Sequence, residues 1–311
     1  MPKLENVPMK SMFGLQVDKE NDDVIYNDEK HCYLSKKDGS KYISVTTLIH
    51  SFSQPYDSIF WASYKACEWF LGEDFSTLKK SLLATKKWND SYLEEYNIDK
   101  NKFETKRQEI LDSYKKAADD SCTRGTKIHA DMENLFYSKD EKHIKKYAGG
   151  GQFNVKKGDY RLDVERAIYP EFLISYEFDE YLKISGQLDC LILDGNDVTI
   201  IDFKTNKKID KESYFDRNTK KRQMMKYPLD NLQDTNFWHY TMQLSTYAYL
   251  LQKINPKYKI KKLALIHFDH EGNETEYEVD YLKEDVARML LYYRKQNKVK
   301  LQLEKDKPIV F

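Results

Sequence analysis

A chain of 311 residues with 40% apolar and 14% aromatic side chains can bury a sizeable core, which sets disorder aside and fits one elaborated domain or two small ones. Its 51 basic and 51 acidic residues cancel, so the whole-molecule field of a constitutive nucleic-acid binder is missing and any such binding must come from a local patch. No run of about 18 apolar residues occurs, and Met1 to Gly14 lacks the layout of a secretory signal, so the expected setting is a cytoplasm without membrane contact.

After the polar N-terminal stretch, His31 to Leu34 and Lys41 to Val45 flank Lys37-Asp38-Gly39-Ser40, whose Asp-Gly step predicts a hairpin turn with positive φ. Thr46 and Thr47 are candidate caps of a short helix. Ser58 to Leu71 carries Ile59, Phe60, Tyr64, Cys67, Trp69 and Phe70 at helical spacing and is expected to form core rather than a base-stacking platform. Residues 72–120 are rich in lysine and glutamate with sparse apolar positions, which predicts amphipathic helices in an inserted region. Gly125 opens a segment whose Ile128, Met132, Leu135 and Phe136 recur at helical intervals, and Gly149-Gly150-Gly151 marks a loop.

From Phe172 the period changes. Phe172 to Phe178, Leu188 to Leu193 and Val198 to Phe203 read as strands, the last two joined by Asp194-Gly195-Asn196-Asp197. A basic segment follows. From Lys204 to Lys226, nine basic residues (Lys204, Lys207, Lys208, Lys211, Arg217, Lys220, Lys221, Arg222, Lys226) face three acidic ones. Then come a helix over Phe237 to Leu251, a strand over Leu263 to Phe268, another over Thr275 to Val279, and a terminal helix from Lys283 to about Lys305. The core order is helix, three strands, helix, strand, with an expected boundary between an N-terminal region 1–120 and a core 121–311. Cys32, Cys67, Cys122 and Cys190 form no CxxC pair and are expected to be buried thiols.

The most informative stretch is Gly186-Gln187-Leu188-Asp189, followed thirteen positions later by Asp202-Phe203-Lys204. Antiparallel pairing of the two strands brings Asp189 and Asp202 together, and paired carboxylates repel unless a cation sits between them, which suits Mg²⁺ or Mn²⁺. Period two puts Asp202 and Lys204 on one strand face, so the ammonium stands beside a water that such a cation activates, an arrangement suited to phosphodiester hydrolysis. On the early helix His129 can add a ligand, and Glu133, one turn on, can orient it or bind a second ion. On the later helix Gln243 and Tyr247 point the same way.

Together these pieces resemble the RecB-like nucleases of the PD-(D/E)XK superfamily, whose ordered signature is G-x-x-x-H, a strand glutamate, G-x-x-D, D/E-x-K and Q-x-x-x-Y. The chain offers Gly125/His129, Glu177, Gly186/Asp189, Asp202/Lys204 and Gln243/Tyr247 in that order. Glu171 or Glu180 takes the place of Glu177 if the strand register differs. Tyr42-Ile43-Ser44-Val45-Thr46-Thr47 is also similar to the S-V-T segment of single-stranded-DNA exonucleases of the phage and mitochondrial genome maintenance type.

The resemblance implies an α/β fold with a restriction-endonuclease-like αβββαβ core, a central mixed sheet flanked by helices and an N-terminal helical elaboration. It implies metal binding by His129, Asp189, Asp202 and the Phe203 carbonyl, with Mg²⁺ or Mn²⁺ as cofactor. Lys204 would act on the water, and Gln243 and Tyr247 would brace the site or contact DNA. The implied activity is a DNA exonuclease acting on single-stranded or frayed ends in replication, recombination or degradation, with Lys207, Lys208, Lys221 and Arg222 on the phosphate backbone and replication or recombination proteins as partners. A phage protein working in a host cytoplasm fits that likeness. The alternatives are a catalytically silent DNA-binding or assembly protein of the same fold and an RNA-directed nuclease. No cysteine follows Cys190, so the cysteine pattern of iron–sulfur members is missing and no cluster is expected.

Overall fold

A computed structural model describes residues 20–27, 32–157, 161–162, 165–216 and 219–305 of the chain. The N-terminal stretch, His31 and Arg217 lie outside the described residues. In chain order the elements are β1 (Val24–Asn27), β2 (Cys32–Ser35), β3 (Lys41–Ser44), α1 (Val45–His50), α2 (Ser58–Leu71), α3 (Phe75–Thr85), α4 (Ser91–Glu95), α5 (Lys100–Tyr137) and α6 (Glu141–Ala148). There follow β4 (Asn154–Val155), β5 (Arg166–Asp179), β6 (Leu182–Asp194), β7 (Asp197–Lys204), β8 (Phe215–Asp216), β9 (Lys221–Arg222), α7 (Asn236–Ile254), β10 (Lys259–Phe268), β11 (Glu274–Glu278) and α8 (Lys283–Lys305).

The chain separates into two compact units, residues 1–54 with 127–311, and residues 55–126. The boundary expected at 120 falls inside α5, a continuous helix that runs through Gly125 instead of starting there. Residues 55–126 have a helical core of their own, built from Phe60, Tyr64, Cys67, Phe75, Leu78, Leu82, Leu93 and Phe103. Asp57 caps α2 by accepting from the Phe60 amide at 2.8 Å, and Trp88 stacks on Phe103 at 5.0 Å. Most of the α2 aromatics are core, as their spacing predicts; Trp69 and Ile59 are exposed.

The larger unit is a mixed α/β structure around a nine-stranded mixed sheet in the order β1-β2-β3-β6-β7-β10-β11, with β5 on β6 and β4 on β5. β5, β6 and β7 are antiparallel neighbours, while β10 returns through α7 to lie parallel to β7. Alternation assigns the two faces. Leu191, Leu193, Val198, Ile200, Leu263 and Leu265 join α1, α7 and α8 in one cluster, whereas Cys190, Ile192, Ile201, Phe203 and Ile266 join Met132, Phe136 and Tyr147 of α5 and α6 in another. Each such aliphatic side chain, fully buried, contributes about 1.5–3 kcal/mol, which makes these strands a rigid platform.

The turns follow local chemistry. Gly39 takes φ +70° between β2 and β3, and Gly195 takes φ +61° between β6 and β7. Ser44, not Thr46 or Thr47, caps α1: its backbone is extended and its Oγ accepts from the Thr47 amide at 3.0 Å. Of the four free cysteines, Cys67 and Cys190 are buried and Cys32 half-buried, but Cys122 is exposed on α5. Among the described residues no helix is long and apolar enough to cross a membrane.

Candidate active site

The site lies at an interruption in sheet pairing. One edge of β6 pairs with β3 at Ile184 and Ser185, then with β7 from Cys190 onward, leaving Gly186 to Asp189 between the two partners. Continuing the β6–β7 register past Cys190↔Ile201 puts Asp189 opposite Asp202, and there the Asp189 carboxylate takes over the ladder: its Oδ2 accepts from the Phe203 amide at 2.6 Å. On the other edge of β6, the register through Pro170↔Cys190 and Phe172↔Leu188 sets Glu171 across from Asp189.

The final turns of α5 bring His129 to these acids. Its Nε2 lies 3.0 Å from the Phe203 carbonyl oxygen, which can only accept, so that nitrogen carries a proton and Nδ1 is turned toward the carboxylates. Nδ1 is 3.4 Å from Asp189 Oδ1 and 3.7 Å from Glu171 Oε1. Donor atoms of His129, Glu171 and Asp189 all fall within 4.8 Å of one another, a set able to hold a metal ion. Glu177 lies elsewhere on β5, hydrogen-bonded to Tyr42 and paired with Lys183 at 3.1 Å, so the glutamate that reaches this group is Glu171. Glu133, one turn beyond His129, is occupied by Tyr137, and burial lifts its carboxyl above the usual range.

Asp202 and Lys204 form the second half of the site. Lys204 Nζ sits 2.5 Å from Asp202 Oδ2, and Gln243 Nε2 donates to Asp202 Oδ1 at 3.1 Å. Asp202 is not a member of the His129 donor set, and the Phe203 carbonyl expected among the ligands faces His129. Gln243 Nε2 also reaches the Tyr247 hydroxyl at 3.5 Å. Gly186 makes room for that tyrosine: a Cβ there would stand 2.7 Å from Tyr247 Cε1 and 2.9 Å from its hydroxyl.

One buried acid, Asp202, and two half-buried ones, Glu171 and Asp189, share two cationic partners, and their proton affinities record the imbalance. Burial pushes Glu171 up to about 7 and Asp202 up to about 6. Burial also acts on Asp189, but His129, Lys204 and the Phe203 amide outweigh it and hold that carboxyl low. The Asp189 charge raises His129 to about 11. Desolvation opposes the Lys204 charge, yet Asp202 and Asp189 keep it above the ordinary lysine range.

The basic segment is only partly unpaired. Lys208 pairs with Asp210 at 2.7 Å, and Arg222 binds Glu212 and the Ser213 carbonyl, each at 2.6 Å, bracing the β8–β9 hairpin. Lys207 and Lys221 are exposed and make no ion pair among the described residues. Two residues that sequence reasoning missed complete the surroundings. Tyr240 covers Lys204, with its ring centroid 4.5 Å from Nζ, and His267 donates to the Asn206 carbonyl at 2.6 Å. Tyr240 stands three residues before Gln243, a helical spacing that could have drawn attention to it.

No protein-family profile matches this chain, and no curated protein matches it. Among solved structures, SSO0001 aligns over 46% of this chain at 18% identity and a TM-score of 0.26, and the chain spans about half of that protein's length (53%). A crystal structure described as a "putative exonuclease" from Eubacterium rectale aligns over 85% of this chain and 81% of its own at 12% identity and a TM-score of 0.31. With both TM-scores below 0.5, neither likeness defines the fold or the chemistry of this chain.

Proposed function

We propose that the protein is a divalent-metal-dependent nuclease of the PD-(D/E)XK type, hydrolysing DNA phosphodiester bonds. The observation that carries this reading is the juxtaposition, across one β6–β7 pair, of the His129–Glu171–Asp189 donor set and the Asp202–Lys204 ion pair. A structural ion-pair network has no need to crowd two acids around one imidazole beside a second, buried carboxylate–ammonium pair.

The donor set fits Mg²⁺ or Mn²⁺: two carboxylates supply hard oxygens, and Nδ1 of His129 faces them because Nε2 is fixed on Phe203. His129, Glu171 and Asp189 would hold such a cation, which when bound supplies Lewis acidity to the phosphate and to water. Lys204 contributes a compact positive charge, held by Asp202, that stabilises charge developing on the phosphate. Gln243 fixes the other Asp202 oxygen, and Tyr247 fills the space over Gly186, so that the pair keeps its orientation in a desolvated setting. The remaining exposed cations after β7, chiefly Lys207 and Lys221, would neutralise backbone phosphates, and action on single-stranded or frayed ends follows from the family resemblance.

The experiment incubates purified protein with end-labelled linear single-stranded, duplex and circular DNA and with RNA, each with Mg²⁺, Mn²⁺ or EDTA. Divalent-dependent loss of linear DNA, with label released from one end and circles spared, is the expected result. Binding without cleavage under any metal would remove the enzymatic reading, and preferential loss of RNA would replace its substrate.

A further inference from the structure

Lys204 has a second neighbour besides Asp202. Its Nζ stands 4.5 Å from the centre of the Tyr240 ring, on the same face of α7 as Gln243. An aromatic face attracts an ammonium through its quadrupole, more strongly when water is excluded, and the Lys204 side chain is only 15% exposed. The ring is itself tied down. Its hydroxyl donates to Asn206 Oδ1 at 2.6 Å, and the Asn206 carbonyl receives the His267 Nε2 bond at 2.6 Å. His267 is the residue opposite Lys204 in the parallel β7–β10 register. The contacts therefore close a loop: Lys204 to Asn206 through the backbone, Asn206 to Tyr240 through a hydrogen bond, and Tyr240 back to Lys204 through its ring.

A carboxylate alone is a poor guide for this ammonium. The lysine stem has four rotatable carbons, and a contact to one Asp202 oxygen restrains distance more than direction. The ring adds an uncharged contact that holds the charge without neutralising it, and the tether from Asn206 and His267 fixes where the ring lies. We infer that Tyr240, anchored by Asn206 and His267, is a positioning residue that orients the Lys204 ammonium for phosphodiester hydrolysis. It acts through Lys204 and not on the phosphate, and the inference rests on the nuclease function proposed above.

The test compares full-length wild type with Tyr240→Leu, Tyr240→Phe and Asn206→Ala by two readouts. One is kcat and KM for linear DNA in Mn²⁺. The other, needing neither metal nor activity, is the NMR shift of the Lys204 Cε methylene in 13C-lysine-labelled protein, assigned with Lys204→Arg, since a ring face moves it upfield. Tyr240→Leu should lower kcat about tenfold with little change in KM and abolish the upfield shift. Tyr240→Phe keeps the ring but loses its bond to Asn206, so it should match Asn206→Ala, with both readouts between those of wild type and Tyr240→Leu. Asn206 is exposed, so its replacement does not threaten folding; loosening the ring should reduce both readouts to intermediate values, which decides the matter if the leucine variant does not fold.

Wild-type cleavage together with an unshifted Lys204 methylene, or with unchanged kcat in Tyr240→Leu or in Asn206→Ala, would overturn this inference alone. A shifted methylene in a wild type that cuts no nucleic acid would overturn the nuclease function, and the positioning role with it.

Discussion

Glu171 is the one non-glycine residue inside a strand of the described structure whose φ is positive, at +50°. A left-handed backbone at such a residue costs about 1–2 kcal/mol, and here it also carries a carboxylate directly across the sheet from Asp189, a like charge. The fold sustains both costs to bring a second acid to His129. Glu171→Gly should therefore raise the stability of the metal-free protein by about 1 kcal/mol while removing most of its metal affinity, as measured by thermal unfolding and calorimetric titration. The carboxyl titrates at about 7 in the fold against 4.5 for the free group, so the folded state binds the proton more tightly. Stability then falls as pH rises from 4.5 to 7, and the full penalty applies above it, so the gain in Glu171→Gly should be larger on the alkaline side.

The same residues set the pH dependence of metal binding. In the absence of metal, His129 keeps its proton up to about 11 and Glu171 up to about 7. A cation must displace these protons, so wild-type affinity should climb throughout about pH 6 to 8, more steeply below about 7 where Glu171 also loses its proton, with proton release visible as buffer-dependent heat in titration calorimetry. Affinity that is flat across that range would place the ion elsewhere.

At the scale of elements, the site depends on β6 being narrow at Gly186, where Tyr247 of α7 lies against the strand. Gly186→Ala should drive the phenol away, lower stability by about 1–3 kcal/mol and weaken the Gln243 brace on Asp202. Combined with Tyr247→Ala the two losses should be less than additive, because the clash disappears with the ring. Simple additivity of the unfolding free energies would mean that strand and helix do not depend on each other there.

How far the sequence speaks for itself differs by element. The β6–β7 hairpin was legible because its turn demands a glycine at φ +61° and its apolar runs are long. Asp189, Asp202 and Lys204 followed from strand register, and Gln243 and Tyr247 from helical spacing. Glu171 was not the first choice, because the strand was expected to begin at Phe172, whereas β5 begins at Arg166. Pro170 discourages extension of a strand, yet beyond Ile168 this stretch of β5 has no strand on its outer edge among the described residues, so proline is tolerated. Glu171 then hides behind a proline and a left-handed turn of the backbone. The tether on Lys204 was invisible for another reason: Asn206, Tyr240 and His267 come from a loop, a helix and a strand, with no shared period.

For the whole molecule, the balanced composition of 51 basic and 51 acidic residues conceals an uneven distribution. Acids gather around His129, basic residues follow β7, and two of these, Lys208 and Arg222, are already paired within their own segment. The helical unit of residues 55–126 carries its own core, while the sheet of the other unit, apolar on both faces, keeps the β6–β7 notch rigid. What the account requires of the intact protein is that cation and lysine make separable contributions at one place. The most direct measurement is the single-turnover rate of DNA cleavage by wild type and Lys204→Ala at saturating Mn²⁺, with Mn²⁺ affinity determined for both. The account predicts that the variant keeps its metal affinity and loses about a hundredfold to a thousandfold in rate, as expected for removal of one preorganised charge. A variant that cuts as fast as wild type with the metal bound would contradict it.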